Sequence, residues 1–470
     1  MRKCLLIGAS GFLGTHLLNL GPDWQVTGTG NSSLRPGLRH LELRSRLSIA
    51  SCLRDCTPDA VIFAAGITST ETCSLSPRQA EEINHLAPLE IMRQTNARFL
   101  YISTDYVFDG LSGNYSEDAL TNPLSSYGQT KLDGERAVLS AHSQNLVVRV
   151  SGLYSCTGTK EGLFDELSNG HSCADDDRIS SPVHVEDVRQ ALMILLNQPD
   201  GGIFHAGGPH ALSRYEFRQI AFLHGAALSP ALPRASHGVL GERTKPSNSS
   251  LSSERLMTLG WKPLRCADRC LAKRDRGKIS ATWESQLHDI DAILLDCVGG
   301  LLGQRQWLSP DDVIARIDLD CESVLSGEIF WREATAKTGV SCRQTLQNRI
   351  ASRYAPNPQI WKAIPMLQSK SHIALTNNGP AATFNIWVDK YGLDRAFSLL
   401  ANSEELACRK PDARFFLDVA DRLGARPERC LVVDDNATYI EGARLCGMRV
   451  IQTRMKQDDI VSRYYLPAPH

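Results

Sequence analysis

Met1-Arg-Lys-Cys4-Leu-Leu-Ile7-Gly8-Ala9-Ser10-Gly11-Phe12-Leu13-Gly14 opens the chain, and its reading decides the fold. Cys4–Ile7 is an apolar run of strand length. Three glycines follow at once in the spacing G-x-x-G-x-x-G, and a helical pattern begins behind them. Glycines let the backbone turn tightly and approach a pyrophosphate. The start of a helix offers it free N–H groups and the positive end of the dipole. The stretch predicts a first strand, a phosphate-binding turn over Gly8–Gly14 and a first helix. Its apolar run is too short for a signal peptide.

Working outward, Gln25–Gly28 reads as a second strand. An acidic residue just after it would bind the ribose 2′-hydroxyl of NAD. The loop instead carries Ser32, Ser33 and Arg35. These can hold a 2′-phosphate or simply meet solvent, so the loop favours NADPH and leaves NADH open. Ala60–Ala64, Phe99–Ser103 and Asn145–Val150 read as further buried strands, with helical patterns over Gln79–Asn96 and Tyr127–Leu139 between them. This alternation predicts an α/β fold with a parallel sheet covered on both faces.

Tyr127 and Lys131 lie four residues apart, on one face of a predicted helix. An ammonium near a phenol favours the phenolate. That suits Tyr127 to give a proton to a substrate oxygen as hydride arrives, with Lys131 also reaching a cofactor ribose. Thr104, at the end of the Phe99–Ser103 strand, can orient the same carbonyl through its hydroxyl.

Ile102-Ser-Thr-Asp-Tyr-Val-Phe-Asp-Gly110, Tyr115-Ser-Glu117, Asn122-Pro123, Tyr127-Gly-Gln-Thr-Lys131, Pro182-Val-His-Val-Glu-Asp187 and Leu259-Gly-Trp261 carry a resemblance. Residues 1–265 resemble the extended short-chain dehydrogenases/reductases, and among them the dTDP-4-dehydrorhamnose reductase family. That resemblance implies a Rossmann-type sheet with a small substrate-binding subdomain and a catalytic set of Thr104, Tyr127, Lys131. It implies cofactor contacts from Gly8, Ser10, Gly11, Phe12, Leu13, Gly14, Ala64, Ala65 and Gly66. Glu42 takes the place of an Asp that reads the adenine edge in the family. The implied reaction is NAD(P)H-dependent reduction of a 4-keto group on a nucleotide-linked 6-deoxysugar. The family also includes the beta subunit of methionine adenosyltransferase, a non-catalytic regulator, so an NADP(H)-binding scaffold without turnover is the alternative.

A second series of strands starts near Asp291. Ala292–Leu295, His372–Leu375, Cys430–Val433 and Arg449–Gln452 alternate with helices such as Asp412–Leu423. Strand ends carry Asp296, then Thr376, Asn377 and Asn378, then Asp434 and Asp435; Lys410 opens a helix. Parallel strands gather their C-terminal ends on one edge, so these groups can converge. Carboxylates beside a lysine suit Mg²⁺ and phosphate, and a carboxylate can attack phosphorus. Arg409-Lys-Pro-Asp412, Val432-Val-Asp-Asp-Asn436 and Glu441-Gly-Ala-Arg444 make residues 289–455 resemble the haloacid dehalogenase-like hydrolases. The resemblance implies Asp296 as nucleophile, Mg²⁺ on Asp296, the Val298 carbonyl and Asp434, and phosphate contacts from Thr376, Asn377 and Lys410. It also implies a small helical cap over about 303–370, including Trp331–Thr338 and Cys342–Ser352. The family's phosphatases carry Asp-x-Asp-Gly-Thr where this chain has Asp296-Cys-Val298-Gly-Gly300; the aspartate that protonates the leaving group is Val298. A hydrolase whose main activity is C-terminal is a further alternative.

The 470 residues carry 51 Lys and Arg against 52 Asp and Glu, a net charge of -1, which gives no basic excess for nucleic acid. The 14 cysteines are scattered singly, as buried thiols in a reducing compartment. No apolar stretch is long enough for a bilayer. The expectation is a cytoplasmic fusion: 1–265 binding NAD(P), 266–288 a basic linker, and 289–470 hydrolase-like. It would act on a small nucleotide-sugar substrate without nucleic acid or membrane partners, with a homodimer possible.

Overall fold

The computed structural model describes residues 1–31, 35–155, 173–224, 231–234, 245–269, 289–304, 317 and 326–453. Ser32, Ser33, most of the basic linker and the first part of the expected cap lie outside these residues. The chain forms two compact units, Met1–Phe217 with Pro233–Arg269, and Arg218–Leu232 with Cys270–His470.

In the first unit seven strands make one sheet: β1 (Arg2–Ile7), β2 (Trp24–Gly30), β3 (Arg39–His40), β4 (Ala60–Phe63), β5 (Arg98–Thr104), β6 (Leu146–Val150) and β7 (Gly202–Ala206). Their order is β7-β6-β5-β4-β1-β2-β3, and every pairing is parallel. The order reverses between β1 and β4, which opens a crevice at the carboxyl ends of those strands. Alternation along each strand feeds two cores. Cys4, Leu6, Leu100, Ile102 and Val148 pack on one face, and Leu5, Ile7, Phe99, Tyr101 and Val147 on the other. Such two-faced burial explains why these strands read as unbroken apolar runs. Beyond β6, Leu153–Tyr154 pairs with Val183–His184, and Ile179–Ser180 with Leu212–Ser213, in a small subdomain.

The pattern over Gln79–Asn96 predicts one helix, but the structure breaks it. Pro77–Glu81 and Ala87–Met92 are α-helical, and Glu82–Leu86 between them is a π-turn. Pro88 has no N–H to give the carbonyl of Asn84, four residues back. The Tyr101 hydroxyl donates to that carbonyl instead, at 2.6 Å.

The second unit has a five-stranded parallel sheet: β8 (Ala292–Asp296), β9 (His372–Asn377), β10 (Leu399–Asn402), β11 (Cys430–Asp434) and β12 (Arg449–Gln452). The order β10-β9-β8-β11-β12 reverses between β8 and β11. Phe415, Phe416 and Val419 of the helix Ala413–Arg422 cover Ala292, Leu294 and Val432. Helices Gly327–Thr338 and Arg343–Ser352 pack on each other through Phe330, Trp331, Leu346 and Ile350. No helix among the described residues is long and apolar enough to cross a membrane.

Candidate functional site

The glycine turn follows β1 directly. Gly8 has φ +89, and a Cβ there would lie 2.6 Å from the Ala65 nitrogen. At Gly14 a Cβ would lie 2.1 Å from the Gly8 carbonyl oxygen. Both positions are glycine because backbone packs against backbone. Gly11 differs: it is exposed, and a Cβ there would meet only the Gly8 oxygen, at 3.3 Å. It caps the short helix Phe12–His16, its N–H donating to the Gly8 carbonyl at 3.1 Å, while Leu13 joins the core. Ser10 is half-buried beside Gly30, and Phe12 is half-buried.

The rest of the expected cofactor lane is continuous. Ala64, Ala65 and Gly66 follow β4, with the Ala64 N–H donating to the Ile7 carbonyl. A Cβ on Gly66 would lie 4.0 Å from Lys131 Nζ. Glu42 accepts from the Arg44 N–H at 3.0 Å and from Asn31 Nδ2 at 3.1 Å, so it ties the end of β2 to the next loop. The Arg44 N–H holds its carboxyl below the usual range. Arg35 is exposed.

Thr104 ends β5, and Tyr127 and Lys131 lie on the helix Ser126–Ala141, whose N-terminus Ser125 caps through the Gly128 N–H. All three are buried. Lys131 Nζ donates to the Ile102 carbonyl at 2.6 Å and stands 3.9 Å from the centre of the Tyr101 ring. Burial lowers its ammonium to about 7, against the pull of Glu135. Tyr127 hydrogen-bonds to Thr104. Burial raises its phenol well above the ordinary value, and the Thr104 bond holds it down only in part. The expectation that Lys131 lowers this phenol is not met: burial raises the phenol, the Asp105 carboxyl raises it further, and Lys131 Nζ is turned to the Ile102 carbonyl.

Two residues of this site escape sequence reasoning. Asn84 is fully buried in the π-turn; its side chain accepts from the Ile67 N–H and donates to the Ile67 carbonyl and to Thr130 Oγ1. It fixes the loop after Gly66 against the Tyr127 helix. Asp105 is buried and accepts from Thr104 Oγ1 at 3.2 Å, Ser151 Oγ at 2.9 Å and Ser249 Oγ at 2.6 Å. Thr104 thus gives its proton to Asp105 while accepting from the Tyr106 N–H. A lone polar residue in an apolar helical pattern was the one available signal for Asn84.

In the second unit the edge groups converge at the reversal point. Lys410 Nζ reaches Asp296 Oδ1 at 2.7 Å and Asp434 Oδ2 at 2.6 Å, with all three buried. Burial alone would depress this ammonium, but the two carboxylates outweigh it and raise it. One carboxylate oxygen each from Asp296, Asp434 and Asp435 lies within 4.8 Å of the others, a donor set that suits a divalent cation. Asp435 belongs to this set although the sequence reading left it off the metal. The Gly300 N–H donates to Asp296 Oδ2 at 3.2 Å. Val298 is half-buried and bridges to Leu302. Thr376 Oγ1 donates to the Leu295 carbonyl, and Asn377 is buried beside it. Asn378 clamps Lys410: Nδ2 donates to its carbonyl and Oδ1 accepts its N–H.

Residues 1–272 match the model of the RmlD substrate binding domain. The chain belongs to that family. Residues 304–447 match the haloacid dehalogenase-like hydrolase model, which begins beyond Asp296 and contains Thr376, Lys410, Asp434 and Asp435. Over 277 residues the chain is 30% identical to methionine adenosyltransferase 2 subunit beta of Xenopus tropicalis, covering 55% of this chain and 83% of the relative. It is 29% identical over 277 residues to a dTDP-4-dehydrorhamnose reductase of Mycobacterium tuberculosis, covering 56% of this chain and 89% of the relative. The crystal structure of a Bacillus anthracis dTDP-4-dehydrorhamnose reductase superposes with a TM-score of 0.52 at 21% identity, over 58% of this chain and 98% of the other, which shows the shared fold. This RmlD-family chain thus joins a reductase-like N-terminal domain to a haloacid dehalogenase-like C-terminal one.

Proposed function

We propose that the RmlD-family domain is an NADPH-dependent reductase of a keto group on a nucleotide-linked deoxysugar. The observation that carries this is the buried Thr104–Tyr127–Lys131 set, whose Lys131 Nζ would lie 4.0 Å from a Cβ on Gly66, on the lane that leads to the glycine turn. The lane fits a dinucleotide, because Gly11 is the one glycine of the turn that packing alone does not demand. Gly8, Gly11 and Gly14 would hold the pyrophosphate, with Arg35 near the ribose. When bound, NADPH supplies the hydride.

The protein's own residues do the rest. Tyr127 keeps its proton at neutral pH because burial raises its phenol, so it can give that proton to the substrate oxygen as negative charge develops there. Thr104, fixed by Asp105, hydrogen-bonds to the phenol and holds it in place. Lys131 carries a proton that exchanges near neutral pH, since burial sets its ammonium at about 7. The 29% identity to the Mycobacterium tuberculosis reductase supports the sugar-nucleotide class. A second reading is a binding subunit that needs the fold and cofactor but no turnover; the 30% identity to a methionine adenosyltransferase subunit favours it.

The test is NADPH consumption with a dTDP-4-keto-6-deoxyhexose, wild type against Tyr127→Phe, alongside NADPH binding for both. Consumption by the wild type alone, with binding in both, supports the reductase. Binding by both without consumption, across a panel of keto-sugars, favours the subunit reading.

A further inference from the structure

Among the described residues, the groups bonded to Asp296 and those on the strand ends beside it are already committed. Lys410 is committed to Asp296 and Asp434 at 2.7 and 2.6 Å. The Thr376 hydroxyl donates to the Leu295 carbonyl, and Asn378 Nδ2 to the Lys410 carbonyl. Cys297 is fully buried next to Asp296. Asp435 belongs to the carboxylate set that suits a cation. The chain leaving Asp296 runs Cys-Val-Gly-Gly, and a methyl-bearing Val298 cannot transfer a proton. Yet Asp296 is held as a nucleophile would be: Oδ1 accepts from Lys410 and Oδ2 from the Gly300 N–H, so its carboxylate has one orientation.

A phosphoryl group can pass to a carboxylate in such a site only if its leaving group departs without a proton. An alkoxide is a strong base and needs one. A carboxylate does not, since its conjugate acid has a pKa near 4. We infer that the C-terminal site takes phosphoryl groups from acyl phosphates, or donors with equally weak leaving bases, onto Asp296, and does not cleave alkyl phosphates. A bond forms between an Asp296 carboxylate oxygen and phosphorus. The phosphorus–oxygen bond to the acyl group breaks, its electron pair leaves on the carboxylate, and no proton moves. Water attack on the resulting aspartyl-phosphate would need a base, and none of these groups is free to act as one, so the phosphoryl group stays on Asp296. This inference is independent of the reductase reading.

The full chain is incubated with Mg²⁺ and acetyl phosphate, or with glycerol 2-phosphate, and followed by intact mass, peptide mapping and phosphate release. Acetyl phosphate is expected to leave one phosphoryl group on Asp296, absent from a folded Asp296→Asn. Glycerol 2-phosphate is expected to give neither label nor phosphate. Val298→Asp should raise glycerol 2-phosphate cleavage by about 100- to 10,000-fold, the usual contribution of a general acid. The inference is overturned if acetyl phosphate neither labels the wild type nor is consumed through Asp296. It is equally overturned if the wild type cleaves glycerol 2-phosphate as fast as Val298→Asp.

Discussion

Replacing Gly11 and Gly14 separately by alanine divides the glycine turn into its two physical jobs. At Gly14 the new Cβ would lie 2.1 Å from the Gly8 carbonyl oxygen and 2.7 Å from Ala9 Cα. Both are backbone atoms, so the turn itself must move. Overpacking of this kind costs about 1–3 kcal/mol, which in a domain of this size lowers Tm by roughly 2–12 °C. At Gly11 the Cβ would meet one atom at 3.3 Å, and its φ of -77 and ψ of 171 suit any residue. Its stability should hold or rise by about 0.4–1 kcal/mol through the lost freedom of the unfolded chain. If the pyrophosphate lies against this exposed turn, as proposed, the same methyl would crowd it. An overpacking cost of about 1–3 kcal/mol there weakens NADPH binding about 5- to 160-fold. Thermal unfolding and NADPH titration of both variants check this. If Gly11→Ala binds NADPH as tightly as the wild type, or loses as much stability as Gly14→Ala, the assignment of the turn is wrong.

Two further outcomes follow from buried charge. Lys131 titrates near 7 when folded and near 10.4 when unfolded. Between those values the unfolded chain binds the extra proton, so stability should rise with pH from about 7 to 10.4. That slope should vanish in Lys131→Met; a variant that keeps it, in denaturant titrations across this range, would falsify the assignment. Lys410→Met leaves Asp296 and Asp434 buried without their cation, and breaking such a pair costs about 3–5 kcal/mol. Mg²⁺ should restore part of that loss, because a cation replaces the missing charge. No Mg²⁺ dependence in urea unfolding would mean that the three carboxylates do not hold a cation.

The strands that carry both sites are legible in the sequence because each is buried on both faces and reads as an apolar run closed by a polar residue. Ile7 before Gly8, Ser103 before Thr104 and Leu295 before Asp296 are such ends. Shorter elements are not. Leu399–Asn402 is a four-residue strand in the second sheet, and Gly202–Ala206 begins on a glycine, so neither stands out from a loop. Tyr127 and Lys131 were found through their helical spacing, which fixes the shared face. Their electrostatics were not, because spacing says nothing about burial. The π-turn at Asn84 was hidden for a related reason. It depends on a hydroxyl from Tyr101, on another element, filling the gap that Pro88 leaves.

Two lysines at the edges of two parallel sheets illustrate how far environment overrides residue type. Glu135, the carboxylate that pulls Lys131 up, is itself paired with Arg149 at 2.7 Å, both buried. Lys131 is left with a carbonyl and an aromatic face, and burial brings its proton within reach of neutral pH. Lys410 has two carboxylates within 2.7 Å, and they keep its charge in place. The first lysine can take part in proton movement; the second can only anchor charge. A site built around an anchored cation and an oriented carboxylate, with valine where an acid would be needed, is suited to phosphoryl donors that ask for no proton. A site built around a loosely held proton and a neutral phenol is suited to finishing a carbonyl reduction. The contrast comes from which carboxylates each sheet edge places beside its lysine.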